Sequence, residues 1–259
     1  MKLGFIGMGN MATALARGFV ASGRVQASEL YAFDPATDKL NGMAAEIGFS
    51  PVGSEQELAA KVDMVIMACK PYHVKGALAA MGKALENKAL LSIALGWDHA
   101  AYRAELPDSV RVQFVMPNTP AMVGEGMFLF EQTTSFTAAE LAFARELLGA
   151  IGVVETLPSA LMGIGGALSG CGPAFVDLLI EAFADAGVMY GMPRDKAYKL
   201  VAQTVKGSAK LQQQTGEHPG VLKDMVCSPA GSTIKGVVAL EQSGFRGAAI
   251  AAIEAIMEN

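Results

Sequence analysis

Three hydroxyl side chains, Ser228, Ser232 and Thr233, fall close together late in the chain, with Ala230-Gly231 between them and an apolar helical pattern after them. Hydroxyls, backbone N–H groups and the positive end of a helix converge on such a segment, and together they suit an organic carboxylate. The same residues also suit a hydroxyl-capped helix with no ligand. A second candidate site lies at the opposite end. Residues 3–6 form an apolar run of strand length, and Gly7-x-Gly9-x-x-Ala12 follows it. A glycine turn from strand into helix brings backbone N–H groups and the helix dipole to a pyrophosphate, although it is also a common plain turn. Asp34 comes about 25 residues after Gly9, where an acidic residue at the end of a second strand accepts bonds from adenosine ribose hydroxyls. It reads equally as an Asp-Pro turn. As a ligand contact it favours NAD, because a carboxylate repels a 2′-phosphate and the first basic residue after it is Lys39.

The composition limits what these sites can serve. The 259 residues are 52% hydrophobic and 17% charged, with 29 glycines, which describes a compact enzyme of one large domain or of two. A net charge of −5 without a basic tract argues against nucleic acid. Cys69, Cys171 and Cys227 are far apart, and only His73, His99 and His218 accompany them, so neither a disulfide framework nor a metal site is expected. No signal peptide is read at the start, and a cytoplasmic location is the expectation. Residues 156–176 carry no charge. Five glycines, Pro158 and Pro173 interrupt them, so they read as a linker and a helix start rather than a membrane span.

The first 155 residues alternate between the two periods. Helices are expected over 11–21, 38–46, 55–61 and 138–148, and strands at 30–35, stopped by its proline, near Phe49, and over 64–68, 89–94, 110–115, 126–131 and 153–155, a doubly wound sheet. Cys69-Lys70-Pro71 and Gly96 then follow strand ends, the edge where an open parallel sheet takes its ligand. Lys70 can bond a cofactor or simply be solvated. Met116-Pro117-Asn118-Thr119-Pro120 is a stiff loop presenting an amide and a hydroxyl, or an ordinary turn.

Beyond Pro158 the strand signals stop. A helix beginning at Pro173 has Val176, Leu179, Ile180, Phe183 and Gly187 on one face, and a second carries Ala197, Leu200, Val201, Thr204, Ser208 and Leu211 inward. Apolar faces on such a small helical region predict a homodimer.

Taken together, Gly4-Phe5-Ile6-Gly7-Met8-Gly9, Cys69-Lys70-Pro71, Met116-Pro117-Asn118-Thr119-Pro120, Ser169-Gly170-Cys171-Gly172-Pro173-Ala174 and the run Leu222-Lys223-Asp224-Met225-Val226-Cys227-Ser228-Pro229-Ala230-Gly231-Ser232-Thr233 resemble the pyrroline-5-carboxylate reductase family almost end to end. The last run is the most specific. The resemblance implies a Rossmann NAD(P)H-binding domain over residues 1–158 and a helical dimerisation and substrate-binding domain over 159–259, with each active site completed across the dimer. It implies cofactor contacts at Gly7, Met8, Gly9, Asn10, Met11, Ala68, Cys69, Lys70, Pro71, Ile93, Ala94 and Leu95, to which the reading of Asp34 from its spacing is added. Substrate contacts are implied at Ser228, Gly231, Ser232 and Thr233, with Ser228 and Thr233 expected to be the catalytic residues, and Leu95 and Asn118 are expected to meet substrate as well. Phe114 stands where the family often has arginine, Leu95 and Ala230 where a smaller residue is common, and Asp34 leaves the choice between NADPH and NADH open.

The activity so implied is reduction of 1-pyrroline-5-carboxylate to L-proline, the last step of proline synthesis. A protonated cyclic imine is already electrophilic, so positioning outweighs side-chain acidity. A dehydrogenase of the β-hydroxyacid type would place a catalytic lysine on the first helix of its second domain, and residues 173–190 contain none. A non-catalytic dinucleotide sensor is the other reading the fold permits.

Overall fold

The computed structural model describes residues 1–258. They form two compact units, Met1–Cys171 and the residues from Gly172 on. The first contains β1 (Leu3–Ile6), α1 (Asn10–Ala21), β2 (Leu30–Phe33), α2 (Thr37–Ile47), β3 (Ser50–Pro51), α3 (Glu55–Lys61), β4 (Met64–Met67), α4 (Val74–Met81) and β5 (Ala89–Ser92). It continues with α5 (His99–Glu105), β6 (Arg111–Met116), β7 (Gly126–Glu131), α6 (Ala138–Gly149), β8 (Gly152–Leu157) and α7 (Met162–Gly166). The strands make one sheet in the order β3-β2-β1-β4-β5-β6-β7-β8.

Alternation along the central strands assigns side chains to the two faces. Leu3 and Phe5 join Leu15 and Phe19 of α1 and Leu147 of α6 in one core. Ile6, with Val65 and Met67 of β4, joins Leu58 of α3 and Tyr102 of α5 in the other. Gly4 is on that second face for want of space, since a Cβ there would stand 2.5 Å from Leu58 Cδ2.

The sheet departs from an all-parallel winding at one joint. β1 through β6 pair in parallel, but β7 lies antiparallel to β6, with Val115 opposite Phe130. The connection explains it. Between them runs only the stiff loop and a 3₁₀ turn, Thr119–Val123, too short for the crossover that a parallel neighbour requires. β8 returns to parallel pairing with β7 after the crossover helix α6. α5, absent from the expected elements, is seven residues long and is set by its ends. Asp98 Oδ1 accepts from Ala101 N at 2.8 Å, and buried Glu131 Oε2 accepts from His99 N at 2.8 Å.

The expected linker is helix instead. α7 passes through a π-helical turn, Ala167–Cys171, into α8 (Gly172–Met189). The helical run Ser159–Met189 is 31 residues long with a mean hydropathy of 1.4, long and apolar enough by those measures to cross a membrane. Neither the glycines nor Pro173 break it. Glycine at 165 and 166 permits close approach, because a Cβ would stand 2.6 Å from Leu157 Cδ1 and 2.3 Å from Met116 Sδ respectively. These contacts, with Met162 packed on Phe114 and Leu129, are why the first compact unit takes in the start of this helical run.

The second unit comprises α8, α9 (Arg194–Thr215), α10 (Pro219–Met225), α11 (Ser232–Gln242) and α12 (Phe245–Met257). Among its described residues only Ala184 and Ala197 are buried hydrophobics. α8 and α9 meet through small groups, a Cβ at Gly187 lying 3.4 Å from that of Ala197. The faces expected to turn inward are otherwise open: Val176, Phe183, Leu200 and Leu211 are exposed, and Leu179 and Ile180 half-buried. So thin an interior leaves these apolar side chains uncovered within the one chain.

Candidate active site

The glycine turn lies where β1, β2 and β4 end together. Gly7 has φ +88°, and a Cβ there would stand 2.8 Å from the backbone of Cys69. Glycine is therefore required twice over, by conformation and by space. Its N–H donates to Phe33 O at 2.8 Å, tying the turn to the end of β2. Met8 turns inward: its side chain is fully buried and its N–H donates to Asp34 Oδ2 at 2.8 Å. The other carboxylate oxygen accepts from Ala36 N at 2.9 Å. Asp34 thus makes the Asp-Pro turn that was one reading of it, and it is also fixed against the glycine loop, a bond the sequence did not reveal.

Gly9 is exposed, a Cβ on it would meet nothing within 4 Å, and as N-cap of α1 it offers no side-chain acceptor. Asn10 is exposed and Met11 half-buried. The first-turn N–H groups of α1 therefore face open space beside a residue with no side chain, a cradle that fits a pyrophosphate.

The neighbouring strand ends complete this edge. Ala68 N donates to Ile6 O at 2.9 Å and Ile93 N to Met67 O at 3.0 Å, so the turns after β4 and β5 are extensions of the ladder. Lys70 is exposed. The Cys69 thiol, half-buried, has its pKa pushed up to about 11 by burial, so it is a neutral thiol at physiological pH. After Ala94 the chain turns through Leu95, which is 66% exposed, and Gly96, with φ +78°. Trp97 Nε1 donates to Pro71 O at 3.1 Å across the two turns. That bond was not read from the sequence; the one tryptophan of the chain, directly after Gly96, was the available signal.

Asn118 has both ends of its amide engaged by backbone. Its Oδ1 accepts from Met127 N at 2.8 Å and its Nδ2 donates to Ser169 O at 3.0 Å. The side chain expected to meet substrate holds the loop. Phe114, in the place where arginine was noted as common, is buried at 3% exposure against Leu129 and Met162.

On the second unit, Ser228, Gly231, Ser232 and Thr233 gather at the start of α11. Gly231 N donates to Ser228 O at 3.0 Å, closing a turn with Pro229 at its first corner and Ala230 at φ +61° at its second, the pattern of a type II turn. A Cβ on Gly231 would stand 2.4 Å from Ser228 Oγ. The helix N-cap is Gly231 and no side chain caps it, which removes the hydroxyl-capped helix as an account of this loop. Ser228, Ser232 and Thr233 are exposed. Three exposed hydroxyls thus stand beside an uncapped helix N-terminus, groups whose chemistry suits an anion.

Two family models match parts of the chain. Residues 159–259 match the family described as pyrroline-5-carboxylate reductase dimerisation, and residues 2–96 the family described as NADP oxidoreductase, coenzyme F420-dependent. The chain is 39% identical to a pyrroline-5-carboxylate reductase of Treponema pallidum over 100% of both chains. It is likewise 39% identical to that of Escherichia coli, covering 99% of this chain and 96% of the relative. The solved pyrroline carboxylate reductase of Plasmodium falciparum, with NADP bound, superposes with a TM-score of 0.90 at 32% identity, covering 100% of this chain and 96% of that one. With identity at this level running the length of the chain, the protein belongs to the pyrroline-5-carboxylate reductase family.

Proposed function

We infer that this protein reduces 1-pyrroline-5-carboxylate to L-proline with NAD(P)H. The observation that carries the reading is the uncapped, hydroxyl-lined start of α11, a carboxylate receptor in a chain whose other unit carries a dinucleotide cradle. The nicotinamide, when bound, supplies a hydride to the C=N carbon. The chain's own groups then have positional tasks. The N–H groups of Gly9, Asn10 and Met11 hold the pyrophosphate, and Asp34 stands at the adenosine ribose. Ala68, Cys69, Lys70, Pro71, Ile93, Ala94 and Leu95 line the strand ends along which the cofactor lies. Ser228, Gly231 and Ser232 hold the carboxylate, while the Thr233 hydroxyl faces the ring nitrogen and keeps its proton in place. Holding the reactants so accounts for large accelerations without a strong side-chain acid.

The small-molecule partner is accordingly a cyclic imine carboxylate. The macromolecular partner is a second copy of the chain, supported by the exposed Phe183, Leu200 and Leu211 on a unit with two buried hydrophobics. Free Cys69, Cys171 and Cys227 support a reducing, cytoplasmic setting. The test is the oxidation of NADPH and of NADH, side by side, with pyrroline-5-carboxylate. Turnover with either bears the reading out; oxidation of neither, with cofactor binding intact, would return the protein to the class of dinucleotide sensors.

A further inference from the structure

Trp97 belongs to a closed circuit of contacts around the two turns assigned to the cofactor. Its indole N–H donates to Pro71 O at 3.1 Å, on the turn after β4. Its backbone N–H donates to Ala94 O at 3.1 Å, which closes the turn after β5 and leaves Leu95 at the tip. Its ring stands 5.0 Å from that of Tyr102, tilted by 48°, a favourable aromatic arrangement. Tyr102, fully buried, shares a 2.9 Å hydrogen bond with Ser92 Oγ, and Ser92 Oγ in turn accepts from Ala94 N at 3.2 Å. The ring of contacts therefore runs from the end of β5 through α5 and Trp97 back to Ala94, and the indole N–H extends it to the turn after β4.

We propose that Trp97 is a positioning residue for the cofactor, setting the separation between the 69–71 turn and the 93–95 turn. This rests on the cofactor edge described above. Each turn is anchored to the strand it follows or to its neighbour, through Ala68 N to Ile6 O, Cys69 Sγ to Met67 Sδ, Ile93 N to Met67 O and Ala94 N to Ser92 Oγ. Among the described residues the hydrogen bond that runs from one turn to the other is the one from the Trp97 indole to Pro71 O. Gly96, at φ +78°, lets the chain double back so that the indole reaches Pro71. A phenylalanine at 97 would keep the ring on Tyr102 and lose the bond across the opening. The turns would then sample several separations, and binding the dinucleotide would require reordering them.

Because Trp97 is the chain's one tryptophan, the assignment of the edge and the role of the residue are separable. In the unmodified protein, NADPH and NADH are each titrated while tryptophan emission is followed. Reduced nicotinamide absorbs where indole emits, so a cofactor on this edge quenches the signal. Binding without quenching would overturn the edge assignment and the proposal with it. With quenching observed, Trp97→Phe is compared by titration of the cofactor's own fluorescence, by steady-state kinetics and by thermal melting. The expected result is a rise of about fivefold in cofactor Kd, the scale of one hydrogen bond, with the imine KM at saturating cofactor and the melting temperature unchanged. An unchanged cofactor Kd, or a loss of stability that raises both constants together, overturns the positioning role and leaves the edge standing. Tyr102→Phe, which keeps the indole and releases Ser92, provides the second measurement and is expected to weaken cofactor in the same selective way.

Discussion

Asn118 donates its side-chain N–H to the carbonyl of Ser169 at 3.0 Å, the carbonyl whose α-helical donor would be the N–H of residue 173, a proline. Pro173 has no N–H to give. The amide of a loop residue thus supplies a donor at the place where the helix lacks one, beside the π-turn Ala167–Cys171. The other end of the same amide accepts from Met127 N, so one side chain ties the β6–β7 loop, the start of β7 and the helical run together.

Asn118→Ala is accordingly expected to lower stability by about 1–3 kcal/mol, the cost of leaving buried backbone groups unpaired, while the imine KM stays near that of the unmodified protein. Denaturant unfolding paired with kinetics checks this. A raised KM with no loss of stability would instead put the amide on the substrate.

Thr233→Ala is expected to raise the KM for pyrroline-5-carboxylate severalfold and leave cofactor affinity unchanged, because the hydroxyl lies on the carboxylate-receiving unit. A normal substrate KM would remove Thr233 from the site.

Asp34→Ser keeps an oxygen for the Met8 N–H but removes a negative charge from the end of β2. The expectation is a shift of kcat/KM toward NADPH relative to NADH by about tenfold, or ~1.4 kcal/mol. The ratio measured in both proteins tests it; an unchanged ratio would confine Asp34 to its turn and to Met8.

The Arg111–Glu140 pair predicts an acid limb in stability. Burial raises the Glu140 pKa, but the Arg111 hydrogen bonds and those from Thr137 outweigh it and hold the carboxyl below its usual 4.5. Arg111 Nε and Nη2 bond the carboxylate at 2.7–3.0 Å and join β6 to the first turn of α6. Because the folded value lies below the unfolded one, the contribution is full above about pH 4.5 and is lost as pH falls through the folded value. Glu140→Gln should cost about 1–3 kcal/mol at pH 7, a difference that shrinks in acid. Urea unfolding of both proteins across pH 3–7 checks it; a difference independent of pH would refute it.

Ala230 has φ +61°, a conformation that costs an alanine roughly 1–2 kcal/mol. Ala230→Gly relieves it, and after the greater freedom of glycine in the unfolded chain is subtracted, a gain of about 0.5–1 kcal/mol is expected. Thermal melting reads this directly, with a loss of stability as the contrary result.

The elements whose local pattern and tertiary surroundings agree were legible in the sequence. β7 and α3 match their expected residues 126–131 and 55–61, and the glycine turn lies between strand and helix as read. What was not legible depends on distant partners. No periodicity reveals that Glu131 caps α5, since His99 and Glu131 are 32 residues apart. The continuity of Ser159–Met189 was hidden because glycines and prolines, breakers in isolation, are there tolerated by close packing on Met116 and Leu157 and by the Asn118 donor. Likewise the apolar faces of α8 and α9 were recognised as faces, but periodicity does not say whether their cover is this chain or another. At the site, residue types pointed to carboxylate and pyrophosphate; the inward turn of Met8 and the bridge from Trp97 to Pro71 needed the fold.

The near absence of an interior beyond Gly172 has a consequence for how the protein comes into being. With a second copy as the proposed cover, ordering of the last helices would follow mass action. A dilute or newly made chain would then carry its sheet unit and an uncovered helical region. Abundance would set how much of the protein is paired, and the interval before pairing would be the one in which aggregation competes with assembly.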